Sequence, residues 1–235
     1  MTLPVQFVSL LFPHVTQLDL TGPVEVFSRL PGAVSDLAWH RVEPVETAAG
    51  FSIVPTVSFD HAPQADVLMV PGGPGAFELM EDPVALDFVR RQAAGARYVT
   101  SVCTGSFVLG AAGLLLGRRA TTHWASHPML EILGARPEEG RVVRDGNLIT
   151  GGGVTSGIDF ALAVAAELYG DETARSVQLA MEYDPQPPFD AGSPRGVDTD
   201  PTHVEAWMAG ARSSREPIVR SAAARLGFNF ADQLG

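Results

Sequence analysis

The feature that most constrains the fold is a run of 20 residues, Tyr98 to Gly117, without a charged side chain, bracketed by Arg97 and Arg118. A run of that length would span a bilayer as a helix. Its middle, however, is filled by Thr100, Ser101, Cys103, Thr104, Gly105 and Ser106. A strand over Tyr98–Val102 feeding a buried helix over Gly105–Leu116 through a polar turn accommodates that pattern better. Strands of this kind, apolar along nearly their whole length, belong to a parallel sheet covered on both faces.

The same grammar recurs along the chain. Val5–Phe12, Asp66–Val70 and Leu148–Thr150 are further apolar runs of strand length. Each is followed by a turn rich in Gly, Pro, Asp or Thr and then by a helical pattern. The helices are expected over Val24–Leu30, Pro83–Ala94, Thr155–Tyr169 and Asp171–Met181. Strands alternating with helices predict an α/β fold with a mostly parallel sheet. Arg41–Ser58 reads as irregular strands or a hairpin. Pro185, Pro187, Pro188, Pro194 and Pro201 forbid one helix over Asp184–Pro201, which is expected to run over the surface. From Thr202 onward two helices are expected, with Ile218, Ala222 and Leu226 on one face, packed on the domain or on a second subunit. At 235 residues one large domain, 1–235, is favoured over two of about 115 each.

Charge and cysteine usage exclude several classes. Lys plus Arg is 16 against 27 Asp plus Glu, a formal charge of −11. That balance argues against wrapping nucleic acid or docking on anionic lipid. Cys103 is the chain's single cysteine, so neither an internal disulfide nor a cysteine-based zinc site is open to it. The start MTLPVQFVSLLF lacks the basic opening and cleavage site of a signal peptide, and a cytoplasmic location is expected.

Open parallel sheets carry their sites outside the carboxyl ends of the strands. Four turns occupy that position: Gln17–Pro23, Pro71–Gly75, Val102–Gly105 and Gly151–Gly153. Cys103 stands at an abrupt strand-to-helix junction, the arrangement of a nucleophile elbow, where the next helix offers N–H groups and its positive dipole end. Asp19, just beyond the first strand, has two readings: helix cap, or a carboxyl group sharing a proton with the thiol. Gly72-Gly73-Pro74-Gly75 and Gly151-Gly152-Gly153 are either tight turns or pocket lining. They lack the pattern of a nucleotide-binding loop. His123, His127 and Glu131 would share a face of a helix as metal ligands do, but Ser126 and Pro128 place a helix start between them. No metal site is expected there, and His123 reads as structural or as a pocket edge.

QLDLTGP at Gln17–Pro23, DVLMVPGGPG at Asp66–Gly75, YVTSVCTGSFVLGAAGLLLGRRATTHW at Tyr98–Trp124 and NLITGGGVTSGIDFALA at Asn147–Ala163 together resemble the ThiJ/PfpI superfamily. Within it they are similar to the isocyanide hydratase branch, and the resemblance extends through EYDPQPPFDAGSP at Glu182–Pro194. It implies a flavodoxin-like sandwich, a homodimer and no cofactor. It also implies Cys103 as nucleophile, Asp19 as the acid where many members have Glu, and Thr104 as a positioning or oxyanion-binding residue. Thr104 stands where PfpI-type proteases carry His, which speaks against peptidase activity. The expected reaction is addition of water to an isocyanide through a Cys103 thioimidate, in a pocket bounded by Gly72, Gly73, Gly152, Val154 and Phe107. Rival readings are a ligand-sensing module, a glyoxalase-like enzyme and a redox sensor that oxidises at Cys103.

Overall fold

The computed structural model describes residues 4–227. In chain order, β1 (Val5–Leu10), α1 (Gln17–Ser28) and β2 (Ala33–Trp39) are followed by the hairpin β3 (Val45–Glu46) and β4 (Ser52–Ile53), then by β5 (Val57–Ser58). Next come β6 (Val67–Val70), α2 (Gly75–Leu79), α3 (Pro83–Gly95), β7 (Tyr98–Val102) and α4 (Gly105–Ala111). The second half holds β8 (Arg119–Ala120), a 3-10 helix (Trp124–Leu133), β9 (Arg136–Pro137), β10 (Val142–Asp145) and β11 (Leu148–Gly151). It closes with α5 (Ser156–Tyr169), α6 (Asp171–Ala180) and α7 (Pro201–Arg225).

Seven strands form one sheet in the order β10-β11-β7-β6-β1-β2-β5. Every neighbouring pair is parallel except β10 with β11. The α/β class and mostly parallel sheet expected from the sequence are therefore present. The central strands are apolar because both faces are covered: all four residues of β6 are buried. Where β7 carries Thr100, its hydroxyl donates to the Leu68 carbonyl at 2.8 Å and so meets no solvent. Helices α1 and α6 both pack on α5, and α2, α3, α7 and the 3-10 helix gather around α4. Phe7, Phe27, Phe88, Phe107 and Phe160 are fully buried in the core. Among the described residues no helix is long and apolar enough to cross a membrane.

Several boundaries differ from expectation, each for a physical reason. Helix α1 begins at Gln17, not Val24, and carries Pro23 inside it. Gly22-Pro23 reads as a helix start, but Gly22 and Gly157 instead let α1 and α5 approach closely: a Cβ on Gly157 would stand 3.2 Å from the Pro23 ring. Helix α4 ends at Ala111, not Leu116, and Gly113 turns the chain at φ +82°. The tail is one helix, α7, where two were expected. Pro217 lies on its exposed side, where one missing N–H bond is tolerable while Ala211, Val219, Ala222 and Ala223 stay buried. Residues 228–235, the end of the expected helical tail, lie outside the described residues. Strands β2 and β10 were not anticipated; both are interrupted by charge, at Asp36 and Arg144.

Candidate active site

The carboxyl ends of β1, β6, β7 and β11 bring the four turns to one edge of the sheet, with Cys103 directly beyond β7. Its backbone is left-handed, φ +54°, which for a residue bearing a Cβ costs on the order of 1–3 kcal/mol. The surroundings hold it there. Its N–H donates to the carbonyls of Gly151 and Gly152 at 3.1 and 2.8 Å. Its carbonyl accepts from the Thr122 hydroxyl at 2.8 Å and the Ser106 hydroxyl at 3.2 Å. Gly105, the next residue but one, is required by space, since a Cβ there would stand 2.1 Å from the Val70 carbonyl oxygen.

Asp19 reaches the same place from the first turn of α1, fully buried. Its Oδ2 accepts the Gly72 N–H at 3.1 Å, while its Oδ1 has no hydrogen-bond partner. It does not cap α1; it stands inside the helix and faces the thiol. Gly72 is wedged between the functional groups. A Cβ there would lie 2.5 Å from the Thr104 nitrogen, 2.7 Å from Asp19 Oδ2 and 2.8 Å from Cys103 Cβ. The Thr104 hydroxyl accepts the Gly73 N–H at 2.9 Å and lies 3.1 Å from the Gly73 carbonyl. Cys103, Asp19, Thr104, Gly72 and Gly73 thus form one contact network.

Burial governs the ionisation of this pair. It raises the Asp19 carboxyl to about 7, against the pull of the Cys103 thiol and the Gly72 N–H. It raises the Cys103 thiol as well, and the negative charge of Asp19 adds to that, while the Thr104 N–H works in the opposite sense. Two buried acids side by side cannot both ionise near neutrality, so the pair keeps one proton between them.

The thiol opens on a cavity of about 490 Å³. Its floor is Cys103, Thr104, Gly73 and Pro74, and its walls include Thr16, His123, Ala125 and Val154. Val154, expected as a pocket boundary, lines this cavity. Phe107 does not: it is fully buried behind the wall, 5.3 Å from the Phe77 ring. Gly152 holds the elbow through its carbonyl and lines a neighbouring cavity with Gly153, Trp124 and Arg141. His123, His127 and Glu131 do not converge. His123 caps the 3-10 helix, its Nδ1 accepting the Ala125 N–H at 3.3 Å. His127 pairs with the Glu138 carbonyl at 3.0 Å. Burial and then Arg215 lower the His123 pKa, which favours the neutral ring at the cavity edge.

The roof is the part that sequence reasoning missed. Helix α7 lays Trp207, Gly210, Ala211, Ser214 and Arg215 across the cavity. One signal existed: Arg215 falls in register with Ala211 and Val219, at a four-residue spacing on the helix's buried stripe.

The DJ-1/PfpI family matches residues 6–167. The chain is 58% identical to the isonitrile hydratase of Pseudomonas putida, over 92% of its own length and 96% of that protein's. It is 31% identical to protein DJ-1alpha of Drosophila melanogaster, over 73% of this chain and 81% of that one. The crystal structure of a ThiJ/PfpI family protein from Pseudomonas syringae superposes with a TM-score of 0.87 at 42% identity, covering 94% of this chain and 90% of the other. With a family match across most of its length and the parallel sheet and cysteine elbow in place, the chain belongs to the DJ-1/PfpI family.

Proposed function

We propose that this chain is an isonitrile hydratase, a hydro-lyase that converts R–N≡C and water into an N-substituted formamide. Identity of 58% over nearly the whole length of the Pseudomonas putida isonitrile hydratase supports the activity. The observation that carries the chemistry is the burial of Cys103 and Asp19 side by side around Gly72, which keeps one proton between them. An isocyanide needs a nucleophile and a proton at the same terminal carbon, and this pair offers both within one contact network.

As the Cys103 sulfur adds its electron pair to the terminal carbon, the proton shared by the pair passes from the thiol to Asp19, which delivers it to that carbon, giving the thioimidate R–N=CH–S–Cys. Water then adds across the C=N bond, its oxygen to carbon and one proton to nitrogen. The tetrahedral R–NH–CH(OH)–S–Cys collapses with cleavage of the C–S bond. The formamide leaves, the electron pair returns to sulfur, and the hydroxyl proton returns to Asp19. No amine departs, so no histidine acid is called for, in keeping with the lowered pKa of His123. The Thr104 N–H and hydroxyl lie beside the sulfur and steady its charge. Exposed Leu179, Phe189 and Val197 suit the homodimer that the resemblance implies.

Purified protein mixed with cyclohexyl isocyanide is expected to form N-cyclohexylformamide over many turnovers, measured by mass spectrometry, and Cys103→Ala to form none. Binding without turnover by the folded protein would instead favour a ligand-sensing domain.

A further inference from the structure

We propose that the substrate is an isocyanide bearing a carboxylate, and that Arg215 receives that carboxylate at the roof of the Cys103 cavity; this rests on the hydratase reading. Most arginines of the chain reach a carboxylate: Arg29, Arg91, Arg118, Arg141, Arg212 and Arg225 are examples. Arg215 does not. It projects from the buried stripe of α7 between Ala211 and Val219 and lines the cavity. One N–H of its Nη1 goes to the buried Ser126 hydroxyl at 2.6 Å, and the guanidinium lies over the Phe77 ring, 5.2 Å from its centroid. Both partners are neutral. A guanidinium has five N–H donors in a planar fork, and among the described residues no carboxylate meets Arg215.

The rest of the cavity is uncharged except at the reacting pair. Thr16, Gly73, Pro74, Ala125, Val154, Ala206, Trp207 and Gly210 supply no anion. A hydrocarbon R group would strip water from the guanidinium and give nothing back, a cost for the bound state. A carboxylate on R would replace that water with two parallel charge-assisted hydrogen bonds. Stabilising the cysteine is the other use for this cation. The Cys103 sulfur and the guanidinium do feel each other's charge, the Thr104 N–H already serves the sulfur, and the two uses separate by experiment. A volume of about 490 Å³ holds a small isocyano acid with room for a short linker.

The test compares a series of ω-isocyanoalkanoates of increasing chain length with their methyl esters, using formamide formation as readout. At the best chain length the acid is expected to exceed its ester in kcat/KM. In Arg215→Gln that ratio should fall roughly 10- to 100-fold, the range of a hydrogen bond to a charged group, chiefly through KM. Arg215→Lys should restore part of it. The acid-to-ester ratio in the unaltered protein needs no variant to fold. Esters turned over as well as acids at every length would overturn the proposal while leaving the hydratase reading intact. An equal loss for acid and ester in Arg215→Gln, in kcat, would overturn it in favour of a role on the cysteine. Failure of cyclohexyl isocyanide, acids and esters alike would overturn the hydratase reading, and this proposal with it.

Discussion

At the scale of single residues, the site is a proton shared under strain. Cys103 occupies a left-handed conformation and Asp19 is buried with one oxygen unpartnered. With the carboxyl at about 7, the pair carries two protons at lower pH and neither group can serve as nucleophile or base. We expect kcat/KM to rise with pH through about 7 and then to hold, because burial keeps the second proton on well above neutrality. Asp19→Asn should abolish that inflection and lower kcat by roughly 10²- to 10⁴-fold. The same shift has a stability consequence. Asp19 is raised in the fold, so the fold favours its protonated form; that contribution is complete below about 4 and is lost as pH rises through about 7. Asn carries no charge, so the variant should gain on the parent between pH 5 and pH 8, by on the order of 1–4 kcal/mol. Thermal melts at the two pH values measure it, and a gap that does not change with pH would contradict it. Gly72→Ala should also lose activity, and about 1–3 kcal/mol of stability, because its Cβ would press on three functional groups. Near-normal turnover in that variant would mean the contact network is looser than described.

At the scale of elements, the turns after β1, β6, β7 and β11 carry the proposed reacting groups and α7 encloses them. The first half of that statement was legible in the sequence. An uncharged strand, a cysteine, a threonine and a glycine read directly as an elbow, because each residue type answers a local need of the turn. The glycine run after β6 was legible as a close approach, though not what approaches it. Asp19 was legible as a neighbour of the thiol, but its place inside α1 was not, since Gly22-Pro23 mimics a helix start. Phe107 failed for a different reason: a one-residue change of direction on α4 separates cavity from core, and composition does not resolve it. Arg215 and Trp207 lie more than a hundred residues from Cys103 in sequence, and the buried stripe that includes Arg215 says that it faces inward but not what it faces. Only tertiary packing of α7 on α4 and the 3-10 helix brings them in. Ala222, buried on that interface, offers the test. Ala222→Asp would place an unpaired carboxylate there. It should undock the helix, raise KM and let iodoacetamide alkylate Cys103, now nearly inaccessible, several-fold faster. Unchanged alkylation would mean that α7 does not cover the site in solution.

At the scale of the whole molecule, one hydrophobic core runs from β1 through the sheet to Val219, Ala222 and Ala223 of α7. We therefore propose that the chain unfolds as a single domain, with one calorimetric transition; a separate early transition for the tail would contradict that. The central claim is that the shared proton and the thiol act on one carbon, with sulfur bonded to substrate between the two halves of the reaction. It is tested most directly by quenching turnover of cyclohexyl isocyanide within its first cycles and weighing the peptide that holds Cys103. We expect a population of that peptide heavier by the mass of the intact isocyanide, present in the parent and absent from Cys103→Ala. Formamide produced at full rate with no such adduct at any quench time would contradict it, and would mean that water attacks the isocyanide without a bond to sulfur.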